Sequence, residues 1–122
     1  MDIDSKIQKF RDIINHSENI VFFGGAGTST ESNIPDFRTP DTGIYNSKTK
    51  YPYPPEVMIS HDFFMQHTKE FYEFYLDRMV YKEAKPNAAH IALAKLESQG
   101  RLKAVITQNI DGLHQKAGSS NV

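Results

Sequence analysis

Cysteine is absent from this chain of 122 residues, which rules out disulfides and any cysteine-held zinc site within it. An excess of one charge sign is lacking too, since 14 Lys and Arg stand against 15 Asp and Glu. With no electrostatic footprint, neither nucleic acid nor an anionic membrane is expected as a direct partner. No apolar run approaches the roughly 18 residues that span a bilayer. The start, Met1-Asp2-Ile3-Asp4, has no signal-peptide character, so the cytoplasm is the expected compartment. Internal repeats and low-complexity tracts are missing. His16, His61, His67, His90 and His114 show no metal-ligand spacing, and no metal is expected on these residues. Hydrophobic residues make up 39%, a little under the usual globular share, as an incomplete domain would show.

What is present begins at Gly24-Gly25-Ala26-Gly27-Thr28-Ser29-Thr30-Glu31-Ser32-Asn33-Ile34-Pro35-Asp36-Phe37-Arg38, after the apolar stretch Ile20 to Phe23. A strand emptying into small residues lets backbone N–H groups approach a pyrophosphate, and a helix starting there adds its positive end. The generic Gly-x-Gly-x-x-Gly fingerprint fails, because Thr30 stands where a third glycine belongs. A P-loop fails for want of the Gly-Lys-Ser/Thr ending, and there is no Gly-x-Ser-x-Gly elbow. Taken only as glycines after a strand, the run fits a tight turn as well as a phosphate cradle.

A second block, Val105-Ile106-Thr107-Gln108-Asn109-Ile110-Asp111-Gly112-Leu113-His114-Gln115-Lys116-Ala117-Gly118, also starts at a strand end. The run Ala104 to Ile106 reads as a buried parallel strand, and ligands of open α/β sheets bind at the carboxyl edge. Gln108, Asn109 and Asp111 carry two amides and a carboxylate, suited to ribose hydroxyls and a carboxamide; equally, Asn109 and Asp111 suit the cap of a helix.

Elsewhere, Ile3, Ile7, Phe10 and Ile14 mark an amphipathic helix ending near His16-Ser17. Thr39 to Pro55 has no periodicity and reads as a mobile loop over a cofactor. Ser60 caps a short helix through His67, and Thr68 opens another with Phe71, Phe74, Tyr75 and Met79 on one face. Pro86 and Asn87 open a helix carrying Ala89, Ala92, Leu93 and Leu96, stopped by Gly100; a further helix is expected from about Ile110. The aromatic stretch Phe63 to Tyr81, without clustered basic residues, reads as core, and His61 and His90 as helix residues. His114 either packs or borders the ligand. Asp36 is either a general base by type or an ion-pair partner of Arg38. The fold class is α/β: a partial Rossmann-like parallel sheet with flanking helices and a small helical module.

Together the two blocks resemble the sirtuins, the NAD-dependent protein-lysine deacylases, and the similarity extends to Tyr51 through Phe64 and to Ala84-Lys85-Pro86-Asn87-Ala88-Ala89-His90. Asn33 departs from the glycine usual before Ile-Pro-Asp-Phe-Arg, although asparagine tolerates left-handed backbone angles. The resemblance implies a sirtuin N-terminal half, bacterial in type. Residues 1–38 and 84–122 would form the NAD-binding part, and residues 39–83 the cofactor loop and helical module. It implies that Gly25, Ala26, Gly27 and Thr30 lie along the pyrophosphate and ribose, and that Arg38 neutralises phosphate. Phe37 would guard the nicotinamide pocket, which Ile34, Ile110 and Asp111 would line. Gln108 and Asn109 would bind the nicotinamide ribose, with Asn109 and Asp111 in catalytic roles. The family's catalytic histidine and two Cys-x-x-Cys zinc pairs would follow beyond Val122. NAD would be a co-substrate, consumed with an acylated protein lysine to give nicotinamide and O-acetyl-ADP-ribose, and the 122 residues alone are expected to be inactive. The alternative is a non-catalytic NAD or ADP-ribose binding module, with self-association through an open sheet edge. A hydride-transferring dehydrogenase is disfavoured by the missing third glycine and by the lack of an acidic residue about 20 residues on.

Overall fold

The computed structural model describes residues 1–46 and 50–122. Helix α1, Ile3–Asn15, is started by Asp2, whose carboxylate accepts from Ser5 N–H at 2.8 Å. Arg101 meets its end, donating from the guanidinium to Ile14 O and from Nε to Ser17 O, just past the helix, at 3.2 Å. The arginine thereby ties the helix end to the strand that follows it in space.

Strand β1, Ile20–Gly24, pairs in parallel with β2, Leu102–Thr107. Phe22 lies opposite Val105 and Gly24 opposite Thr107, with a register irregularity between Ile20 and Val21. This is the parallel sheet expected from two apolar runs separated by helices, and among the described residues it has two strands. One face is covered: Leu102 and Val105 are buried beside Leu113, His90 and His114. The other face is open, with Val21, Phe23 and Ile106 exposed.

Between the strands lie α2 (Pro55–Met58), α3 (His61–Gln66), α4 (Thr68–Phe74) and α5 (Ala88–Ser98). Ser60 caps α3 through its hydroxyl, which accepts from Phe63 N–H at 3.2 Å. Helix α4 passes into a π turn over Tyr75–Met79. Ile44, Met58, Phe63 and Phe74 form the core of this helical group, with Phe37, Tyr51, Ile59, Phe71 and Met79 packed against it. From the aromatic stretch, Phe63 and Phe74 are core with Phe71 packed against them, while Tyr72 is exposed. Helix α5 packs on β2 and on the short α6, Leu113–Lys116.

Four of these readings gain detail from the structure. The helix expected after β1 is a 3₁₀ segment, Ala26–Ser32. On α5, Leu93 and Leu96 lie on the covered side as expected, with His90, Ala94 and Glu97, while Ala89 and Ala92 are exposed. Helix α6 starts at Leu113, not Ile110, because Gly112 at φ 69° turns the chain just before it. Helix α1 forms where the spacing of Ile3, Ile7, Phe10 and Ile14 predicts it, with Ile3, Ile7 and Phe10 exposed and no residue of the helix buried. The predicted loop Thr39 to Pro55 includes Ser47, Lys48 and Thr49, which lie outside the described residues. Its earlier part is a closed turn and no bare connection: Ile44 N–H donates to Asp36 O and Tyr45 N–H to Phe37 O, both at 2.8 Å.

Candidate functional site

The carboxyl ends of β1 and β2 adjoin, and the two blocks emerge there side by side. Gln108 N–H donates to Gly24 O at 3.1 Å, extending the ladder past the last strand residues. Asn109 then reaches back, its Nδ2 donating to Gly25 O at 2.9 Å. A Cβ on Gly25 would stand 2.7 Å from Gln108 Oε1, the end of a side chain that can swing aside. Gly27 is different, since a Cβ there would meet nothing within 4 Å.

In front of this junction lies a cavity of about 810 Å³. Ala26, Gly27, Ile34, Phe37 and Arg38 line it from the first block, and Gln108, Asn109, Ile110 and Asp111 from the second. Two expected residues do not. Gly25 sits behind the wall, and Thr30 faces a neighbouring cleft of about 430 Å³ beside Asn33 and Thr42. The far end of the cavity is apolar and comes from the helical group, through Ile44, Ile59, Phe71, Tyr75 and Met79.

Ser29 was not singled out by the sequence reading. It is 1% exposed and donates its hydroxyl to Asp111 Oδ2 at 2.6 Å. The other Asp111 oxygen accepts from Leu113 N–H at 2.9 Å, so the carboxylate caps α6 and lines the cavity at once. The two readings of Asp111 were not exclusive. Asn109 is no helix cap, because its side chain is engaged with Gly25 and approaches Ser29 Oγ at 3.4 Å. A serine among glycines carries no mark of burial, and its partner lies 82 residues on.

Asp36 makes no ion pair with Arg38. Its carboxylate accepts from Thr39 N–H at 3.1 Å and from the Thr39 hydroxyl, ordering the loop by hydrogen bonds. The Arg38 guanidinium instead lies over Tyr45, 5.3 Å from the ring centroid. Asn33 holds φ 63°, ψ 28° at the end of the 3₁₀ segment, the left-handed conformation glycine would otherwise supply.

Behind the cavity, His90 and His114 are both buried, their rings 4.9 Å apart and edge to face. Burial pushes both imidazoles below the ordinary histidine range; for His90 the neighbouring His114 adds to the effect, and the Asp111 charge opposes it at each ring. Neither ring nitrogen of His114 finds a hydrogen-bond partner, and the ring does not line the cavity. His114 is thus a packing residue. Among the described residues, no group of three or more His, Cys, Asp or Glu side chains is placed to hold a metal ion. No helix among them is long and apolar enough to cross a membrane.

Comparison with known proteins gives one answer. The Sir2 family model matches residues 25–122. The NAD-dependent protein deacetylase of Clostridium acetobutylicum is 62% identical over 117 residues, covering 96% of this chain and 47% of the relative. A solved Sir2 complex with a p53 peptide and NAD⁺ is 46% identical with a TM-score of 0.75, covering 95% of this chain and 43% of that one. Sir2 bound to acetylated peptide is 44% identical with a TM-score of 0.76, at the same coverage of 95% and 43%. The chain spans about half the length of the curated relatives it matches.

Proposed function

Because the chain belongs to the Sir2 family, we propose that it forms the NAD-cleaving half of an NAD-dependent protein-lysine deacetylase. The observation that carries this reading is the convergence of both blocks on one cavity at the carboxyl edge of a parallel sheet, with Asp111 and Asn109 on its wall. Ala26 and the open space at Gly27, both on the cavity wall, supply a backbone approach for the pyrophosphate. Arg38 neutralises phosphate, and Phe37 guards the nicotinamide pocket walled by Ile34 and Ile110. Gln108 and Asn109 hold the nicotinamide ribose. Asp111 accepts from the carboxamide N–H₂.

The chemistry follows from that placement. When neutral nicotinamide leaves ribose C1′, positive charge develops there, and the acetyl-lysine carbonyl oxygen takes its place. A fixed carboxylate in a largely apolar cavity acts strongly on such a charge. The step that moves the acyl group to a ribose hydroxyl, and the structural zinc, belong on this reading to residues outside this chain. The 122 residues alone are then inactive in deacylation, since general-base catalysis typically contributes 10²- to 10⁴-fold. The partners are acylated lysines of proteins in the cytoplasm.

The test is product analysis with the full-length protein carrying this chain, given NAD and an acetyl-lysine peptide. Equal amounts of nicotinamide, free lysine peptide and O-acetyl-ADP-ribose are expected; peptide deacetylated without NAD consumption would overturn the reading. Saturable ADP-ribose binding with no chemistry would instead favour the binding-module alternative.

A further inference from the structure

After α6 the chain turns back onto β2, and one side chain of α5 gathers it there. Ser119 N–H closes the end of α6 by donating to His114 O at 3.0 Å. The next two residues belong to Glu97, which is half-buried on α5. Its Oε1 accepts from Ser120 N–H at 2.8 Å and from the Ser120 hydroxyl at 2.5 Å, and its Oε2 accepts from Asn121 N–H at 3.4 Å. A carboxylate is an acceptor only, so these donors fill it without competition.

Asn121 lies on the edge of β2 that β1 leaves free. Gln108 N–H faces β1, through Gly24 O, so by the alternation of a strand Val105 N–H and Lys103 C=O face the other way. Val105 N–H donates to Asn121 O at 2.9 Å, and Asn121 Nδ2 donates to Lys103 O. One residue bonded to the neighbours on either side of its partner is the pattern of a parallel ladder, here opposite Ala104. The pattern has one exchange: the Asn121 side-chain amide stands where its backbone N–H belongs, because Glu97 holds that N–H. A chain continuing parallel to β2 advances about 3.3 Å per residue and comes level with Thr107, the last residue before the cavity wall, about three residues later.

We infer that Glu97 is a positioning residue for acyl transfer: by holding Ser120 and Asn121 it fixes the register at which the chain joins β2, and so how far the following residues reach into the cavity. The inference rests on the proposed deacetylase reading, which places acyl transfer on residues outside this chain, and it adds a residue of this chain to that step. Without the carboxylate, the Asn121 backbone N–H is free to take Lys103 O in place of the side chain, and the entry to the ladder shifts. A displacement of about 1 Å at a reacting group costs up to about 10²-fold in rate.

Two readouts separate the steps in the full-length protein given NAD and an acetyl-lysine peptide. Glu97→Ala is expected to slow single-turnover formation of O-acetyl-ADP-ribose about tenfold or more, while exchange of labelled nicotinamide into NAD stays within about threefold of the parent. Glu97→Gln keeps an oxygen for Ser120 and is expected to bring acyl transfer back to within about threefold. A purely structural role predicts a lower melting temperature with both reactions unchanged or slowed alike, and either result would overturn the inference. Should Glu97→Ala fail to fold, Ser120→Ala decides, since it removes the hydroxyl donor alone: a loss of about threefold or more confined to acyl transfer agrees, and parental rates refute it. If the parent exchanges no nicotinamide, the reading of the site fails and the inference with it. If the parent carries out both reactions and Glu97→Ala matches it in both, only the role of Glu97 fails.

Discussion

Asn33 shows how a departure from a family pattern is absorbed by one residue. Its φ of 63° is open to glycine at no cost and to asparagine at little, but to a β-branched residue only with strain. Asn33→Gly is expected to leave urea-melt stability of the full-length protein nearly unchanged, and Asn33→Val to lower it by about 1–2 kcal/mol. Equal stability of the valine variant would contradict the backbone argument. The buried histidines give a second residue-scale expectation. Their folded pKa values lie below the ordinary 6.5, so through that window the unfolded chain binds more protons than the folded one. Stability is then full above about pH 6.5 and is lost as the pH falls below it, with Asp111 as the acidic group that partly offsets the loss. Thermal midpoints measured across that range should fall on the acid side, and less steeply in His114→Asn; a flat profile would mean that the rings are solvated.

At the scale of elements, the loop from Asp36 to Asn46 matters most, since it forms one wall of the cavity while packing Ile44 and Phe37 into the helical core. Its closure depends on Gly43, where a Cβ would lie 2.7 Å from Phe37 O and Thr39 N. Those are backbone atoms that cannot swing aside. Gly43→Ala should force the loop open at a cost of about 1–3 kcal/mol, read as roughly a tenfold or larger rise in the Michaelis constant for NAD; an unchanged constant would show that the loop does not shape the site. The same loop marks where sequence reasoning reached its limit. Strands, caps and the two blocks at the strand ends were legible because they depend on local patterns: apolar runs, Ser60 before α3, Asn87 before α5, glycines after β1. The closed turn was not, because it rests on Asp36 and Asn46 hydrogen bonds to backbone groups with no periodic mark. Ser29 was missed, and His90 was read only as the helix residue it is, for the related reason that burial beside Asp111 arises only when segments far apart in the chain meet.

For the whole molecule, the open sheet face is the feature with consequences. Val21, Phe23 and Ile106 on the strands are exposed, while α5 packs on β2 from the opposite face. Parallel sheets are ordinarily covered on both sides. The 122-residue chain by itself is expected to self-associate through this surface, with light scattering showing a mass that rises with concentration and Phe23→Glu reducing it. A concentration-independent monomer with a cooperative melt would contradict that. The central claim is narrower and concerns Asp111, where the two blocks, the cavity and the cap of α6 meet. The measurement that tests it most directly is exchange of labelled nicotinamide into NAD by the full-length protein with an acetyl-lysine peptide, compared between the parent and Asp111→Asn. Exchange reduced by about tenfold or more in a variant that melts like the parent is the predicted result; equal exchange in the two would contradict the account.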